Sequence, residues 1–398
     1  MPQHHHCYDR TPRLPQLRRR EGAVELLFAE SSTTGWGTEQ HFAALAIAMA
    51  QRAHVVRCVI TTGSPLEPML REAGVAVTVN KYQARGSMDP HAMRLLRRLT
   101  SQRRANWMVT NDPKLYWPLI FVGRLSGART ALFRHWEYMS KGALSRRFIP
   151  RFADRFILVS RSQKEHLRAS GVDVSRMGIL YNPIDTYRLS PSDEARARVR
   201  ASLGLTDRQV AVGYVGRMVK EKGIFTLLRA SERLLSQAPE TLLVWVGDGL
   251  DLPELQARVE QSPQRERHLF RRWTRDMQGI YTALDLVAIP SEYAEPFGRV
   301  SVEAQACGTP VVCSDAGGLP ETFSPQVSGL LTPRGDADQL SAALLELVRD
   351  PDRRKGMSLA GRQFACANFS FERVAHDFEA LLADRQYTPP IPAAVVSR

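Results

Sequence analysis

Two glutamates eight residues apart are the sequence feature that points most directly to chemistry. Glu295 and Glu303 lie in the segment PSEYAEPFGRVSVEAQACGTP, residues 290–310. Pro296 suits a first helical position and the closing Gly-Thr-Pro suits a helix end, so we predict a short helix there. Eight residues at about 1.5 Å each extend about 12 Å, or about two turns. Two carboxylates at that separation can accept hydrogen bonds from different hydroxyls of one ligand.

Two predicted helix starts are candidate anion sites. In the first, the backbone amides of Phe297, Gly298 and Arg299 point toward whatever anion lies at the start of the helix that carries Glu303. The second is the loop SSTTGWGTE at 31–39, where Gly37 stands directly before a helix. Glycine lets the backbone approach a ligand closely, although a tight strand-to-helix turn accounts for this loop equally well.

A basic loop, GRMVKEKG at 216–223, has a predicted strand behind it and a predicted helix ahead. Arg217 and Lys222 bracket its turn. Two cations that converge near a helix N-terminus suit a pyrophosphate. A solvated cluster of surface charges is the alternative interpretation of this loop.

A histidine and an Asp-x-Asp pair complete the candidates. His135 follows a predicted strand, and the carboxyl end of a strand is where doubly wound sheets bind ligands, although a lone histidine is more often structural. Asp336 and Asp338 resemble a metal-binding pair, but they follow Gly335 and open a helix-like segment, so we interpret Asp336 as a helix cap. We therefore predict no metal at the site and no cofactor.

Four motifs in this order resemble the retaining glycosyltransferases of family 4. They are the Arg217/Lys222 pair, GDG at 247–249, the Glu295/Glu303 pair and AGGLPE at 316–321. The resemblance is close over residues 210–335 and looser over 24–186, where Trp36 separates two glycines that are usually adjacent. It implies an α/β protein with the GT-B fold, in which two Rossmann-like, doubly wound domains face each other across a cleft.

The resemblance also implies roles for the candidate residues. Glu303 would hold the donor ribose hydroxyls, Glu295 the transferred sugar, and Arg217 with Lys222 the donor diphosphate. His135 matches a histidine that lies near the reaction centre in the family. The predicted catalytic set is therefore His135, Arg217, Lys222 and Glu295, and the predicted donor-binding set is Gly37, Arg217, Lys222, Glu295, Phe297, Gly298, Arg299 and Glu303.

Short apolar runs alternate with helix-length amphipathic segments along almost the whole chain, which predicts parallel sheets covered by helices. The first series of strands is VELLFAE, HVVRCVITT, GVAVTV, NWMVTN, RTALFR and RFILVS, and the second is QVAVGYVG, TLLVWVG, DLVAIPS, PVVCSD and SGLLTP. We predict a flexible basic tail at 1–23, an acceptor-side domain at 24–186 and a nucleotide-sugar domain at 187–370. Residues 371–398 would form a closing helix, packed toward the first domain, and a tail.

Charge divides the chain unevenly. Residues 1–186 carry a net charge of +14 and residues 187–398 a net charge of −1. No apolar run reaches the roughly 18 residues of a membrane span, so we expect a cytoplasmic protein. The basic half predicts docking on the anionic inner face of the plasma membrane, through arginines interleaved with apolar residues at 91–104 and 142–156. Apolar stripes that pack on the sheet, with solvated arginines, are the alternative.

The combined features predict a retaining hexosyltransferase. It would move a sugar from a nucleoside diphosphate donor, in our prediction a UDP-sugar, to a hydroxyl of a glycan or lipid-linked acceptor in polysaccharide or lipopolysaccharide synthesis. A nucleotide-sugar epimerase of the same architecture is the first alternative, although the Glu295/Glu303 and Arg217/Lys222 pairs argue against it. A basic nucleic-acid-binding protein is the second, but no recognition motif accompanies the charge, so we predict no nucleic-acid partner.

Overall fold

The computed structural model describes residues 22–34, 37–81, 84, 86, 88–135, 143–384 and 387–390, with the backbone alone for 143–147. The predicted tail at 1–23 lies outside these residues except for its last two. The chain divides into two compact units. Unit 1 holds the described residues up to Leu158, with Gly171–Gly178 and Ala375–Tyr387, and unit 2 holds Val159–Ser170, Ile179–Val374 and the described residues from Thr388.

A parallel sheet forms the centre of unit 1. Within the described residues its strands lie in the order β3-β2-β1-β4-β5-β6-β7. The strands are β1 Glu25–Ala29, β2 Val55–Thr61, β3 Ala76–Asn80, β4 Trp107–Thr110, β5 Arg129–Arg134, β6 Arg155–Leu158 and β7 Met177–Ile179, and the connecting helices are α1 Gly37–Gln51, α2 Leu66–Glu72, α3 Pro90–Gln102, α4 Tyr116–Ser126, α5 Ala143–Phe152 and α6 Arg161–Ala169. The strand order reverses at β1, as in doubly wound sheets.

A second parallel sheet forms the centre of unit 2, in the order β10-β9-β8-β11-β12-β13 among the described residues. Its strands are β8 Val210–Val215, β9 Thr241–Val246, β10 His268–Arg271, β11 Leu286–Ile289, β12 Val311–Ser314 and β13 Gly329–Thr332. The helices that follow β7 along the chain are α7 Asp193–Ser202, α8 Ile224–Gln237, α9 Leu252–Glu260, α10 Met277–Ala283, α11 Arg299–Ala306, α12 Ala337–Arg349, α13 Pro351–Phe369 and α14 Phe371–Ala383. The prediction of two doubly wound parallel sheets is confirmed.

The apolar strands of unit 2 are buried on both faces. Along β8, Val212 and Tyr214 belong to one core cluster with α8 and α12, whereas Ala211 and Val215 belong to another with α10 and α11. Successive side chains of a strand point to opposite faces, so a strand covered by helices on both sides is apolar at every position. This requirement explains the continuous apolar runs in the sequence.

Two strands, β7 and β10, are absent from the predicted set. β7 is the three-residue segment MGI at one edge of its sheet, and β10 is the segment HLFR at the other sheet's edge. Three of the four residues of β10 are only half-buried. Edge strands of this length carry little of the apolar signal that marks a central strand.

The division into units differs from the predicted boundary after residue 186. The segment Val159–Ser170, which contains α6, belongs to unit 2, and Ala375–Tyr387, which contains most of α14, belongs to unit 1. Within unit 1, Arg52 donates from Nε and Nη2 to the Glu379 carboxylate at 2.7 Å each, and His54 Nε2 lies 2.8 Å from the same carboxylate. Arg155 Nη2 donates to the Leu382 carbonyl at 2.9 Å.

Glu379→Gln is expected to destabilise unit 1 in a pH-dependent way. Burial alone would raise the pKa of Glu379, but hydrogen bonds from Arg52 and His54 outweigh it and lower the pKa to about 2. Because the folded-state pKa is depressed, the stabilisation is present above the unfolded-state value of about 4.5 and is lost as the pH falls toward 2. Solvent screens part of the interaction, so the expected loss at neutral pH is about 1 kcal/mol.

Urea denaturation at several pH values measures this effect. The matched control is Glu254→Gln, which removes an exposed pair with Arg258 on α9 and should cost a few tenths of a kcal/mol. Equal losses in the two variants, or a Glu379→Gln loss that stays constant down to pH 2, would contradict the assignment.

Candidate active site

The carboxyl ends of two neighbouring strands build the site in unit 2. β8 pairs with β11 in parallel, so the loops that follow these strands lie at the same edge of the sheet. The loop after β8 carries Arg217 and Lys222, and the loop after β11 carries Glu295. The strand order of the sheet reverses between β8 and β11. Doubly wound sheets bind ligands at the carboxyl ends of the strands beside such a reversal.

Glu295 is buried, and three side chains bind its carboxylate. Lys222 Nζ lies 2.5 Å from Oε1, Ser291 Oγ donates to Oε1 at 2.6 Å, and Tyr293 OH donates to Oε2 at 2.7 Å. Lys222 Nζ also donates to Tyr293 OH at 3.0 Å and lies 4.9 Å from the centre of its ring. The structure thus brings together two predicted catalytic residues and fixes a positive charge beside a buried carboxylate.

Arg217 occupies the same edge of the sheet with an exposed side chain. Its carbonyl accepts a hydrogen bond from Tyr214 OH at 2.6 Å. Burial raises the pKa of Tyr214, the charge of Glu295 raises it further, and Arg217 opposes the shift. Arg217 and Glu295 therefore both lie within electrostatic reach of one phenol. An exposed guanidinium in this position is available to an anionic ligand.

Glu303 is held in the same manner as Glu295, by one tyrosine and one cation. Arg299 Nε and Nη2 donate to Oε1 at 3.1 and 2.7 Å, and Tyr281 OH donates to Oε2 at 2.8 Å. Burial, and then the charge of Glu303, raise the pKa of Tyr281 well above its usual value. Arg299 and Glu303, both predicted to bind the nucleotide-sugar donor, thus form an ion pair with each other.

The helix after Glu295 begins later than the sequence predicted. Helix α11 starts at Arg299, so the placement of Pro296 at its first position is wrong. The residues before it are held by an adjacent segment, because Gly318 N donates to the Glu295 carbonyl at 2.6 Å. Gly298 precedes α11 with φ 118°, and a Cβ there would lie 2.5 Å from Leu319 Cδ2, so this position requires glycine.

Phe297 places its side chain in a core rather than in the site. Its ring centre lies 6.0 Å from that of Tyr181 and 5.4 Å from that of Phe369, and the residue is buried. Only its backbone amide remains for the predicted role in donor binding. The side chain instead anchors the loop that carries Glu295 to the core of unit 2.

In unit 1, the predicted residues also lie at the carboxyl edge of the sheet. His135 directly follows β5, with its ring centre 4.5 Å from that of His41. Gly37 is the first residue of α1, whereas Gly35 and Trp36 lie outside the described residues.

A buried acidic cluster follows β1 and β4 at the same edge and was not predicted. Burial and the nearby Asp112 raise the pKa of Glu30 to about 8. Ser31 Oγ contacts the Asp112 carboxylate, and Thr34 Oγ1 donates to Glu39 at 2.7 Å. Both residues stand where a predicted strand ends, Glu30 as the last residue of VELLFAE and Asp112 directly after NWMVTN, and this position was the available signal.

Asp336 caps α12, as predicted, by accepting from Gln339 N at 2.9 Å. Among the residues that the structure describes, no group of three or more His, Cys, Asp and Glu side chains is arranged to hold a metal ion.

Comparison with known proteins identifies the family. Residues 195–364 match the family model "Glycosyl transferases group 1", and residues 36–188 match "Glycosyltransferase Family 4". A GDP-mannose-dependent alpha-(1-6)-phosphatidylinositol monomannoside mannosyltransferase of Mycolicibacterium smegmatis is 31% identical over 63% of this chain and 68% of its own length. The chain belongs to the family 4 glycosyltransferases. A second relative of this chain is the D-inositol 3-phosphate glycosyltransferase of Corynebacterium jeikeium, which is 37% identical over 59% of this chain.

Solved structures resemble nearly the whole length of this family 4 member. The crystal structure of Anabaena HepE in complex with UDP has a TM-score of 0.78 at 21% identity and covers 90% of this chain and all of its own. A glycosyltransferase from Rickettsia africae has a TM-score of 0.80 at 16% identity, and the match covers 91% of this chain and 98% of the Rickettsia chain. These likenesses confirm the predicted GT-B fold. The chain spans 58% of the C. jeikeium relative and 68% of the M. smegmatis relative.

Proposed function

We propose that this family 4 member transfers a sugar from a nucleoside diphosphate donor to a hydroxyl of a glycan or lipid-linked acceptor, with retention of anomeric configuration. The observation that carries the proposal is the buried Glu295 carboxylate, held by Lys222, Ser291 and Tyr293 at the carboxyl edge of the sheet. The family match favours transfer over the epimerase and nucleic-acid-binding alternatives.

The reaction breaks the bond between the anomeric carbon and the diphosphate, and the electron pair leaves with the diphosphate oxygen. Lys222 and Arg217 would stabilise that developing negative charge, because fixed cations act strongly where solvent is displaced. The anomeric carbon then bonds to the acceptor oxygen, whose proton passes to the departing diphosphate oxygen. Glu295 Oε1 holds Lys222 Nζ at 2.5 Å, and the same carboxylate would accept hydrogen bonds from hydroxyls of the transferred sugar. Glu303 would bind the donor ribose, and His135 would act near the reaction centre.

The nature of the donor follows from comparison and is part of the proposal. HepE is described in complex with UDP, with UDP and glucose, and with UDP-glucose, which favours a UDP-sugar. GDP-mannose is the second candidate, because the M. smegmatis relative is named as GDP-mannose-dependent. No metal ion or cofactor is proposed, because Arg217 and Lys222 can supply the positive charge at the diphosphate.

The acceptor proposed is a glycan or lipid-linked molecule of polysaccharide or lipopolysaccharide synthesis. An apo lipopolysaccharide outer core galactosyltransferase, WaaB, shares the fold with a TM-score of 0.65, whereas the M. smegmatis relative is named for a phosphatidylinositol monomannoside. Among the described residues, no helix is long and apolar enough to cross a membrane. The proposed location is the cytoplasm, with docking through the basic half on the inner face of the plasma membrane.

Nucleotide binding and turnover test the proposal. In a thermal-shift screen of UDP, GDP, ADP and their sugars, UDP should raise the melting temperature most, because a ligand at about 100 times its Kd stabilises the folded state by about 2.7 kcal/mol. Radiolabelled sugar should then move from the UDP-sugar to an acceptor, and EDTA should not abolish the transfer. Free sugar alone would indicate hydrolysis, a changed nucleotide sugar without acceptor would indicate an epimerase, and salt-sensitive oligonucleotide binding without turnover would refute the proposal.

A further inference from the structure

An exposed apolar stripe lies on the outer face of helix α4 in unit 1. Trp117, Phe121 and Leu125 follow one another at intervals of four residues, which places them on one face of the helix. Phe121 is 53% exposed and Leu125 is 60% exposed. Trp117 is half-buried beside them. The outer face of a helix that covers a sheet is ordinarily polar, so two exposed large apolar side chains in line with a half-buried tryptophan require an explanation.

Helix α5 extends the stripe into a patch. Phe152, 41% exposed, lies with its ring centre 6.2 Å from that of Trp117. Arg124 Nη2 donates to the Phe152 carbonyl at 3.4 Å, which joins the two helices. Trp117, Phe121, Leu125 and Phe152 are called the aromatic patch below. The other large apolar side chains exposed among the described residues lie on separate segments of the chain, at Met88, Tyr187, Leu250, Trp273, Leu331 and Leu359.

Exposed cations adjoin the residues of the aromatic patch along the chain, and carboxylates are few in the same segments. The acid nearest to Phe152 in sequence, Asp154, is half-buried and accepts a hydrogen bond from Thr130 N at 2.9 Å. Arg124 is exposed on the same helix beside Leu125, Lys114 is exposed just before α4, and Arg151 is exposed beside Phe152. Between residues 90 and 134 the sequence has nine Lys and Arg and a single acid, Asp112, which is buried. A partner that accepts this surface must therefore combine negative charge with an apolar layer.

Helix α3, which contacts α4, has exposed arginines but no exposed large apolar side chain. Ala92, Leu96 and Thr100 form its buried face, whereas Arg97 and Arg98 are exposed. The other apolar side chains of this helix, at Met93, Leu95 and Leu99, are half-buried. The exposed apolar side chains come from α4, which the sequence-based docking prediction did not include, and from Phe152, which lies in its second segment, 142–156.

We propose that the aromatic patch inserts into the interfacial layer of an anionic membrane while the surrounding arginines contact lipid phosphates. Aromatic and leucine side chains suit the boundary between headgroups and acyl chains, and arginine binds phosphate there. This inference deepens the proposed membrane docking and names its surface. It predicts two components of binding: one that salt weakens, from the arginines, and one that salt leaves in place, from the patch.

Liposome flotation of the full chain tests the inference. Vesicles of three parts phosphatidylcholine to one part phosphatidylglycerol should carry the protein, high salt should weaken but not abolish binding, and pure phosphatidylcholine should bind far less. Phe121→Ser combined with Leu125→Ser should lower the partition coefficient about tenfold or more, because burial of each side chain in an apolar layer is strongly favourable. The matched control is Leu359→Ser, which removes a side chain that is 62% exposed on α13 of unit 2 and should bind as the wild type does.

Each outcome separates the inference from its rivals. Unchanged flotation of the double variant, equal loss in Leu359→Ser, or no flotation of the wild type overturns it. A lower oligomeric state of the double variant in size-exclusion chromatography would assign the patch to a subunit contact and also overturns it. Unchanged thermal melting shows that both variants are folded. The flotation needs no donor or acceptor, so its failure would leave the proposed transfer reaction standing.

Discussion

Glu295→Gln is expected to lower kcat at least about a hundredfold and to leave the protein folded. The substitution keeps the shape of the side chain but removes the negative charge that holds Lys222 Nζ at 2.5 Å. Lys222 then loses its fixed position beside the departing diphosphate, and the loss of one preorganised electrostatic contact costs about 10² to 10³ in turnover. Steady-state kinetics with the donor that the thermal-shift screen identifies gives kcat and KM separately.

Glu303→Gln is the matched control for this experiment. Its carboxylate is likewise held by one tyrosine and one cation, yet its proposed partner is the donor ribose, which does not react. We expect a raised donor KM with most of kcat retained, because uniform binding is lost rather than transition-state binding. A wild-type kcat and KM for Glu295→Gln, or the same loss of kcat in both variants, would show that the two carboxylates are assigned to the wrong roles.

The sheets could be predicted from the sequence because both faces of each are covered. A strand such as β8 is apolar at every position, and the periodicity changes visibly where the next helix begins. Edge strands such as β10 are half-exposed and short, so their pattern merges with that of the surrounding loop. The sequence also placed Glu295 and Lys222 correctly at loops after strands, which is where the structure brings them together.

The partners that hold the carboxylates could be predicted only in part. Ser291 and Tyr293 lie four and two residues before Glu295 in one loop and both donate to its carboxylate, so hydroxyl side chains close to Glu295 in sequence were the visible signal. Tyr281 is different, because it comes from α10 and reaches Glu303 only through tertiary packing. The start of α11 was misplaced for a similar reason. The distant Gly318 holds the Glu295 carbonyl, and the helix that local signals placed from Pro296 begins only at Arg299.

Gly223→Ala is expected to destabilise unit 2 by about 3 to 4 kcal/mol. Gly223 lies between Lys222 and the first residue of α8, with φ 72°, where a non-glycine residue costs about 1 to 2 kcal/mol. A Cβ at this position would also lie 1.8 Å from the Pro290 carbonyl oxygen and 2.6 Å from its carbon. These are backbone atoms and cannot rotate away, so the overlap adds about 2 kcal/mol. Urea denaturation followed by circular dichroism measures the loss.

Gly335→Ala isolates the steric part of this effect. Gly335 has nearly the same φ, 74°, but a Cβ there would meet nothing within 4 Å, so only the backbone cost of about 1 to 2 kcal/mol applies. The difference between the two variants therefore reports the contact between Gly223 and Pro290. Relief of that contact must move the loop of Lys222 away from the segment that begins with Ser291, and both residues bind Glu295. The folded fraction of Gly223→Ala should accordingly lose turnover as Glu295→Gln does, whereas Gly335→Ala should retain it. Equal stability of the two alanine variants would contradict the close contact between these loops.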